Sequence, residues 1–314
     1  MIEVVAPGLL TTVQDLGREG FGSLGVSPSG AADALSLRIG NRLVGNPESA
    51  AALEMTLLGG TFASPTGGVV ALAGSDFGAT LDDAPVPMWT SVEVPPGAVL
   101  RCGPTKTGAR CYLCVRGGIA EPSVLGSAST HLLSGLGGHE GRALRKGDRL
   151  PVAAGRRFER FRPKSVAPSA LLQLAPTKIL RVTPGPQSDW FSEEARHAFY
   201  STTYRVAEES NRMGLRLEGA AIAEDVPAEM TSEGVTLGAV QITAGGLPII
   251  LFVEQQTTGG YAKIANVITT DFHSLGQLRP RDQIRFEAVG WDEARAALVA
   301  QERLVTSEGL IESI

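Results

Sequence analysis

Residues 231–280 read TSEGVTLGAVQITAGGLPIILFVEQQTTGGYAKIANVITTDFHSLGQLRP, and their reading decides the fold. Three strand-like runs stand out. Residues 240–243 are short and β-branched, 249–253 are continuously apolar, and 264–270 are again rich in Ile, Val and Thr. Between the second and third runs lies Glu254-Gln255-Gln256-Thr257-Thr258-Gly259-Gly260-Tyr261, too long and too polar for an Asn-Gly type of hairpin turn. It offers two side-chain amides, two threonine hydroxyls, a carboxylate, and two glycines that leave backbone N–H groups approachable. That inventory suits a small polar ligand with an amide edge. A lactam, urea or carbamate sets one donor beside one acceptor, and Gln offers the matching pair. Residues 217–262 contain no Lys or Arg, so nothing local would neutralise a polyphosphate. The same composition also fits a plain surface loop between barrel strands, and the residues alone do not choose.

The rest of the chain is read in the same terms. Of 314 residues, 43% are hydrophobic but only 5% aromatic, so the core is built from Ala, Val, Leu and Ile. Gly (38) and Pro (19) make up nearly a fifth of the chain without a collagen-like period, which predicts many tight turns between short strands. Such strands are expected at 2–5, 9–13, 53–57, 69–73, 86–94, 99–102 and 111–115, and later at 179–182, 204–207, 215–217 and 283–289. Helices are expected over 31–44, capped by Ser29 and stopped by Gly45, in a short segment opened by Asn46-Pro47, and over 190–200. A last helix from Asp292 to about 304 leads into a mobile tail. Periodicity is lost over 156–169, where Arg, Lys and Pro accumulate. The expected organisation is a first domain over 1–160, a second over 170–290, and a helix and tail over 291–314. The fold class is mainly β: two turn-rich β-barrel-like units with a few short helices.

Several partners and chemistries are set aside. A net charge of −5 argues against nucleic acid. No apolar run is long enough for a bilayer, and Met1-Ile2-Glu3-Val4 lacks a signal peptide's basic start and apolar core, so no membrane association is expected and a cytoplasmic location is. Three cysteines, an odd number, fit a reducing compartment. Cys111 and Cys114 form a C-x-x-C within a strand-like run. Residues three apart on a strand face opposite sides, so they read as two buried hydrophobes, not a metal grip. His131, His139, His197 and His273 show no metal-site spacing, and no metal is expected. Gly103 and Gly108 have P-loop spacing around Lys106, but Ala109-Arg110 follows where Lys-Ser or Lys-Thr is needed. Gly135, Gly137 and Gly138 approach a dinucleotide fingerprint that Glu140 breaks. Neither a G-x-S-x-G elbow nor a biotin-accepting Met-Lys-Met occurs.

A family resemblance rests on blocks that appear in order over roughly residues 6–290. They are Thr11-Thr12-Val13-Gln14-Asp15-Leu16-Gly17-Arg18, then Gly30, Asp33 and Asn41, Leu43-Val44-Gly45-Asn46, Leu53-Glu54 and Arg116-Gly117-Gly118. The second half adds Ser210-Asn211-Arg212-Met213-Gly214, Ser232-Glu233-Gly234 and Gln256-Thr257-Thr258-Gly259-Gly260-Tyr261. Together these resemble the family of the 5-oxoprolinase C-type subunit, a biotin-dependent carboxyltransferase-like family also described as antagonist of a sporulation-kinase inhibitor. The chain departs from the family's habit at Glu254, where Asp is common, and at Ala262, where Pro is common.

The resemblance implies a cyclophilin-like β-barrel architecture, doubled or decorated. It implies a stable partner, a B-type homologue (a kinase-inhibitor-like protein), and a third, A-type subunit of the same enzyme. With them, 5-oxo-L-proline is opened to L-glutamate at the expense of ATP. ATP is used by the assembled complex and is not expected on this chain alone; no biotin is attached. Two alternatives stay open: a carboxyltransferase-like module acting on a urea-type amide with carboxybiotin from a partner, and a non-catalytic regulator that binds the kinase-inhibitor homologue. In the first reading Gln256, Thr257, Thr258 and the Gly259 and Gly260 amides hold the amide, and Tyr261 walls it. Asp15 or Glu54 serves as proton acceptor or orienter, and Arg18 or Arg116 pairs with a substrate carboxylate. Asp15 and Arg18 bridging each other, or Glu54 bonded only for structure, explains the same residues.

Overall fold

The computed structural model describes residues 1–154, 161–222 and 230–314, so residues 156–160 of the stretch read as a boundary lie outside it. The chain divides into two compact units. The first comprises Met1–Arg18, Ser29–Leu174 and Leu304–Ile314; the second comprises Glu19–Pro28 and Ala175–Arg303.

In the first unit a five-stranded sheet, ordered Leu10–Gln14, Ala52–Thr56, Arg110–Val115, Gly68–Gly74, Ser91–Val94, packs on a six-stranded one. The six-stranded sheet contains Ile2–Ala6, Thr61–Ala63 and Val99–Arg101 at its centre. Strand alternation sorts the side chains. Val70, Leu72, Cys111 and Leu113 point into the core between the sheets, whereas Val69, Ala71, Tyr112 and Cys114 pack under the helix Ala34–Val44. The two sulfurs of the C-x-x-C therefore lie on opposite faces, and all three cysteines are free and buried. Burial pushes the Cys102 thiol up to about 12 and raises the other two thiols as well.

The helix ends at Gly45, whose φ of 79° is the left-handed conformation that a C-terminal stop requires. Its cap is Asp33, which accepts the Ser36 N–H, and not Ser29, which sits at φ 57° with its hydroxyl donated to Thr130 O. Pro47 and Ala50 close a turn where a second short helix was expected, since their bond is not continued. The tail is also ordered: Ile311–Ser313 pairs antiparallel with Lys164–Val166 inside the first unit.

The second unit closes into a seven-stranded barrel. Around it run Ile179–Pro184, Lys263–Val267, Ala239–Ile242, Pro248–Leu251, Gly214–Glu218, Tyr204–Val206 and Gln283–Ala288. Every pairing is antiparallel except that of Ile179–Pro184 with Gln283–Ala288. Leu180 and Val182, Leu215 and Leu217, and Ile284 and Phe286 are buried at alternate positions, the period-2 pattern of a wall with one face inward. Phe199, from the helix Glu193–Ser201, stacks on Phe286 at 4.5 Å.

All three strands read from residues 231–280 are present, but their order in space is not their order in sequence. Ala239–Ile242 lies between Pro248–Leu251 and Lys263–Val267 and pairs with both. The polar segment 254–261 is therefore no hairpin. It crosses past the end of a central strand, joining strands two places apart, a span of about 10 Å.

Candidate functional site

Three of the family-like blocks, far apart in sequence, meet on segment 254–261. Arg212 and Glu254 form a buried ion pair, Nε to Oε1 at 2.5 Å, and the Glu254 N–H donates to Arg212 O at 2.8 Å. One methylene longer than Asp, Glu254 here reaches the guanidinium from the barrel wall and fixes where the segment begins. On its far side, Thr258–Gly259 pairs antiparallel with Glu233–Gly234, while Val235 N–H donates to Thr257 O and Met230 N–H to Gly260 O.

A second tether comes from Lys263, which in the sequence only marks the end of an interval without Lys or Arg. Its side chain is 3% exposed, yet Nζ reaches Glu233 Oε1 at 2.7 Å and Tyr261 O at 3.3 Å. Gln187 joins the same carboxylate through Nε2 at 2.9 Å and accepts the Lys263 N–H at 3.2 Å. The Lys263 hydrogen bond, then that from Gln187, holds the Glu233 carboxyl below its ordinary value. Gln241 Nε2 donates to the Tyr261 carbonyl at 3.4 Å. A Cβ placed on Gly259 would stand 2.7 Å from that Nε2, so the Gln241 amide would have to shift to admit any other residue. Lys263, Glu233, Gln187 and Gln241 thus frame the segment from below. The only hint of this in the sequence was a lysine at the head of the strand Lys263–Val267.

What the frame presents is the polar set the sequence picked out. Gln256 and Thr258 are exposed, Thr257, Gly260 and Tyr261 are half-buried, and Gly259 is buried under Gln241. Gln255, passed over in favour of its neighbour, is buried, and its Oε1 has no hydrogen-bond partner among the described residues. A buried amide oxygen without a donor is a site that a ligand N–H or a water would satisfy.

The four candidates in the first unit are bonded differently. Asp15 Oδ1 accepts from Gly17 N–H (2.8 Å), Ser127 Oγ (2.6 Å) and Ser129 Oγ (2.5 Å), and Oδ2 accepts from Ala128 N–H (2.7 Å). Arg18 is buried and donates to the Val124 and Ser129 carbonyls, reaching the same loop from its other side. Glu54 Oε2 accepts from Ala32 N–H (2.8 Å) and the Tyr112 hydroxyl (2.7 Å), and Oε1 lies 3.6 Å from Arg110 Nε. Tyr112 in turn accepts the Asp33 N–H at the helix entry, and burial, then Glu54, pushes its pKa up. Arg116 Nε donates to Val44 O at 3.1 Å, with its guanidinium 5.7 Å over the Phe161 ring; burial lowers its pKa. Asn46 accepts the Gly117 N–H at 2.8 Å. These side chains tie the helix, its flanking loops and the five-stranded sheet to one another. A carboxylate already holding four donors is poorly placed to accept a substrate proton, so the geometry makes Asp15 an organiser of its loop.

The loop with P-loop spacing is closed on itself. Lys106 Nζ pairs with Asp76 at 2.6 Å, Thr105 Oγ1 donates to Gly108 O at 2.6 Å, and a strand follows where a phosphate-binding helix would begin. Among the described residues no His, Cys, Asp and Glu cluster is arranged to hold a metal, and no helix is long and apolar enough to cross a membrane.

The model of the carboxyltransferase domain, subdomain A and B, matches residues 24–288. The C-type subunit of 5-oxoprolinase from Escherichia coli is 40% identical over 305 residues, covering 96% of this chain and 96% of that protein. That of Haemophilus influenzae is 37% identical over 294 residues, covering 94% of this chain and 93% of that protein. Among solved structures, the Kluyveromyces lactis urea carboxylase matches with a TM-score of 0.91 at 34% identity, over 97% of this chain but only 29% of its own length. The chain therefore spans nearly all of the two bacterial proteins and less than a third of the urea carboxylase. A family model covering most of the sequence and bacterial relatives matched from end to end place this chain in the carboxyltransferase subdomain A and B family, to which the C-type subunit of 5-oxoprolinase belongs.

Proposed function

We propose that this chain is the C-type subunit of a cytoplasmic, ATP-dependent 5-oxoprolinase that opens 5-oxo-L-proline to L-glutamate. It does so with A-type and B-type partner subunits, and it works only within that complex. The observation that carries the reading is the 40% identity to the corresponding 5-oxoprolinase protein of Escherichia coli over 96% of both chains. Segment 254–261 supplies the chain's share of the substrate pocket. The Gln256 amide pairs with the lactam N–H and C=O, the Thr257 and Thr258 hydroxyls add adjustable donors, and Tyr261 covers one face of the ring. Gly259 and Gly260 let the backbone come close, and Lys263 with Glu233 keeps the segment in place. Holding the lactam in one orientation is a rate contribution in its own right, since hydrolysis requires water to approach the carbonyl along one line. The loop with P-loop spacing does not fit ATP, because Lys106 is paired with Asp76 and no helix follows; in this reading ATP is handled by the partner subunits.

The test is ATP-dependent glutamate release by the three purified proteins. Release is expected with all three and absent when this chain is omitted; undiminished release without it defeats the proposal. A second reading has a specific observation behind it, the match to urea carboxylase at a TM-score of 0.91. In that reading the same amide-matching segment takes a urea-type substrate, with carboxybiotin brought by a partner. Urea-dependent turnover with a biotin-carrying partner, and none with 5-oxoproline, selects it.

A further inference from the structure

A cavity of about 450 Å³ opens in the first unit at the C-terminal end of the helix Ala34–Val44. Its volume is that of a small-molecule pocket, and its charges are divided. Arg42 and Lys164 line it with two cations and Glu308 with one carboxylate. Arg42 donates from Nη2 to Ser307 O at 3.1 Å, but its Nη1 is buried without a hydrogen-bond partner. Among the described residues none of these three charged groups is joined in an ion pair, to one another or to anything else. Asn46 gives the wall its shape only. Its Nδ2 donates to Asn41 Oδ1 and Val115 O, and its Oδ1 accepts from Gly117, so both of its donors are committed. Gly45 ends the helix at the cavity, and the carbonyl end of the helix adds partial negative charge there.

We propose that this cavity binds an amino dicarboxylic acid, a small molecule with two carboxylates and one ammonium. Two cations and one carboxylate are the inverse of that charge set, and the helix end favours the ammonium a second time. Ile311 on the wall suits the short methylene chain that separates the ligand's two acidic ends. Other classes leave charges unmatched. Inorganic phosphate carries no positive charge to answer Glu308 and is repelled by it. A dicarboxylate without an amine leaves both Glu308 and the helix end uncompensated, and a neutral lactam answers neither cation. The cavity shares no residue with segment 254–261. The glutamate formed in the proposed reaction belongs to this class, so the site would respond to product; that consequence, unlike the binding, rests on the 5-oxoprolinase reading.

Titration calorimetry on the full chain with L-glutamate, glutarate and inorganic phosphate tests the assignment. Saturable one-site binding of L-glutamate is expected. Lys164→Gln should weaken it about tenfold or more, and Lys164→Arg should restore it. Glu308→Gln should weaken L-glutamate but not glutarate, a split that a general loss of structure would not produce. Gln256→Ala should leave the binding unchanged. Absence of saturable L-glutamate binding, insensitivity to Lys164→Gln, or phosphate binding as tightly as glutamate overturns the proposal. Binding lost with Gln256→Ala and kept with Lys164→Gln overturns it too, since the ligand would then sit at segment 254–261. None of these readouts requires the assembled complex, so its failure and that of the 5-oxoprolinase reading are separable.

Discussion

In the first unit Asp15 and Glu54 have their carboxylate oxygens occupied by backbone N–H groups, hydroxyls and a neighbouring guanidinium. In the second, Lys263, Glu233, Gln187 and Gln241 are just as well bonded, but they lie beneath a segment whose Gln256 and Thr258 remain open to solvent. Asp15 and Glu54, like Gln256 and Thr258, stood out in the sequence for the same reason, polar residues in ordered blocks; Lys263, Gln187 and Gln241 of the frame beneath the segment did not. The difference teaches that a polar residue with every partner in place reports architecture, whereas an exposed amide held by a well-bonded frame reports recognition.

Substitutions can break that contrast, and the largest effect is expected at Glu54. Glu54→Ala removes the buried acceptor of the Tyr112 hydroxyl and the Ala32 N–H and the carboxylate beside Arg110, and should destabilise the first unit by about 3–5 kcal/mol in denaturant unfolding. A loss under about 1 kcal/mol would mean that Glu54 is not structural. Asp15→Asn is nearly isosteric but weakens the four acceptor contacts, so a loss on the order of 1–3 kcal/mol is expected. Unchanged stability with a collapsed kcat in the assembled enzyme would return Asp15 to the chemistry.

In the second unit, Gly259→Ala drives a methyl against Gln241 and should cost about 1–3 kcal/mol while displacing the segment. A stable variant of full activity would show that the segment's position does not matter. Gln256→Ala and Thr257→Ala should leave stability within about 0.5 kcal/mol. Each should raise KM for the lactam about tenfold, the equivalent of a lost hydrogen bond of about 1.4 kcal/mol. Unaltered kinetics in both removes the segment as the site. The smallest effect is a pH dependence. Lys263 depresses the folded pKa of Glu233 below its ordinary 4.5, so the tether is fully present above that value and is lost as pH falls through the lower, folded value. Wild type should therefore lose stability relative to Glu233→Gln on acidification below pH 4.5, and parallel curves would show the tether idle.

Much of the fold was legible because strand periodicity is local. β-Branched and continuously apolar composition located the runs at 240–243, 249–253 and 264–270, and residue parity alone put Cys111 and Cys114 on opposite faces. The helix stop at Gly45 was legible too, since a left-handed residue is a local demand. Its start was not: Asp33 takes the cap because Tyr112 and Glu54, distant in sequence, hold the Asp33 and Ala32 N–H groups at the helix entry.

By itself, then, the sequence determined which residues form strands, which faces they bury, and which polar segment between them is unusual. The tertiary structure alone decided that this segment crosses a central strand instead of turning back, and that a buried lysine secures it through Glu233, thirty residues upstream. The reason is physical. Periodicity records which side of a strand meets the core, but strand neighbours and the partners of a buried charge are set by contacts between distant parts of the chain, and those exist only once the barrel has closed.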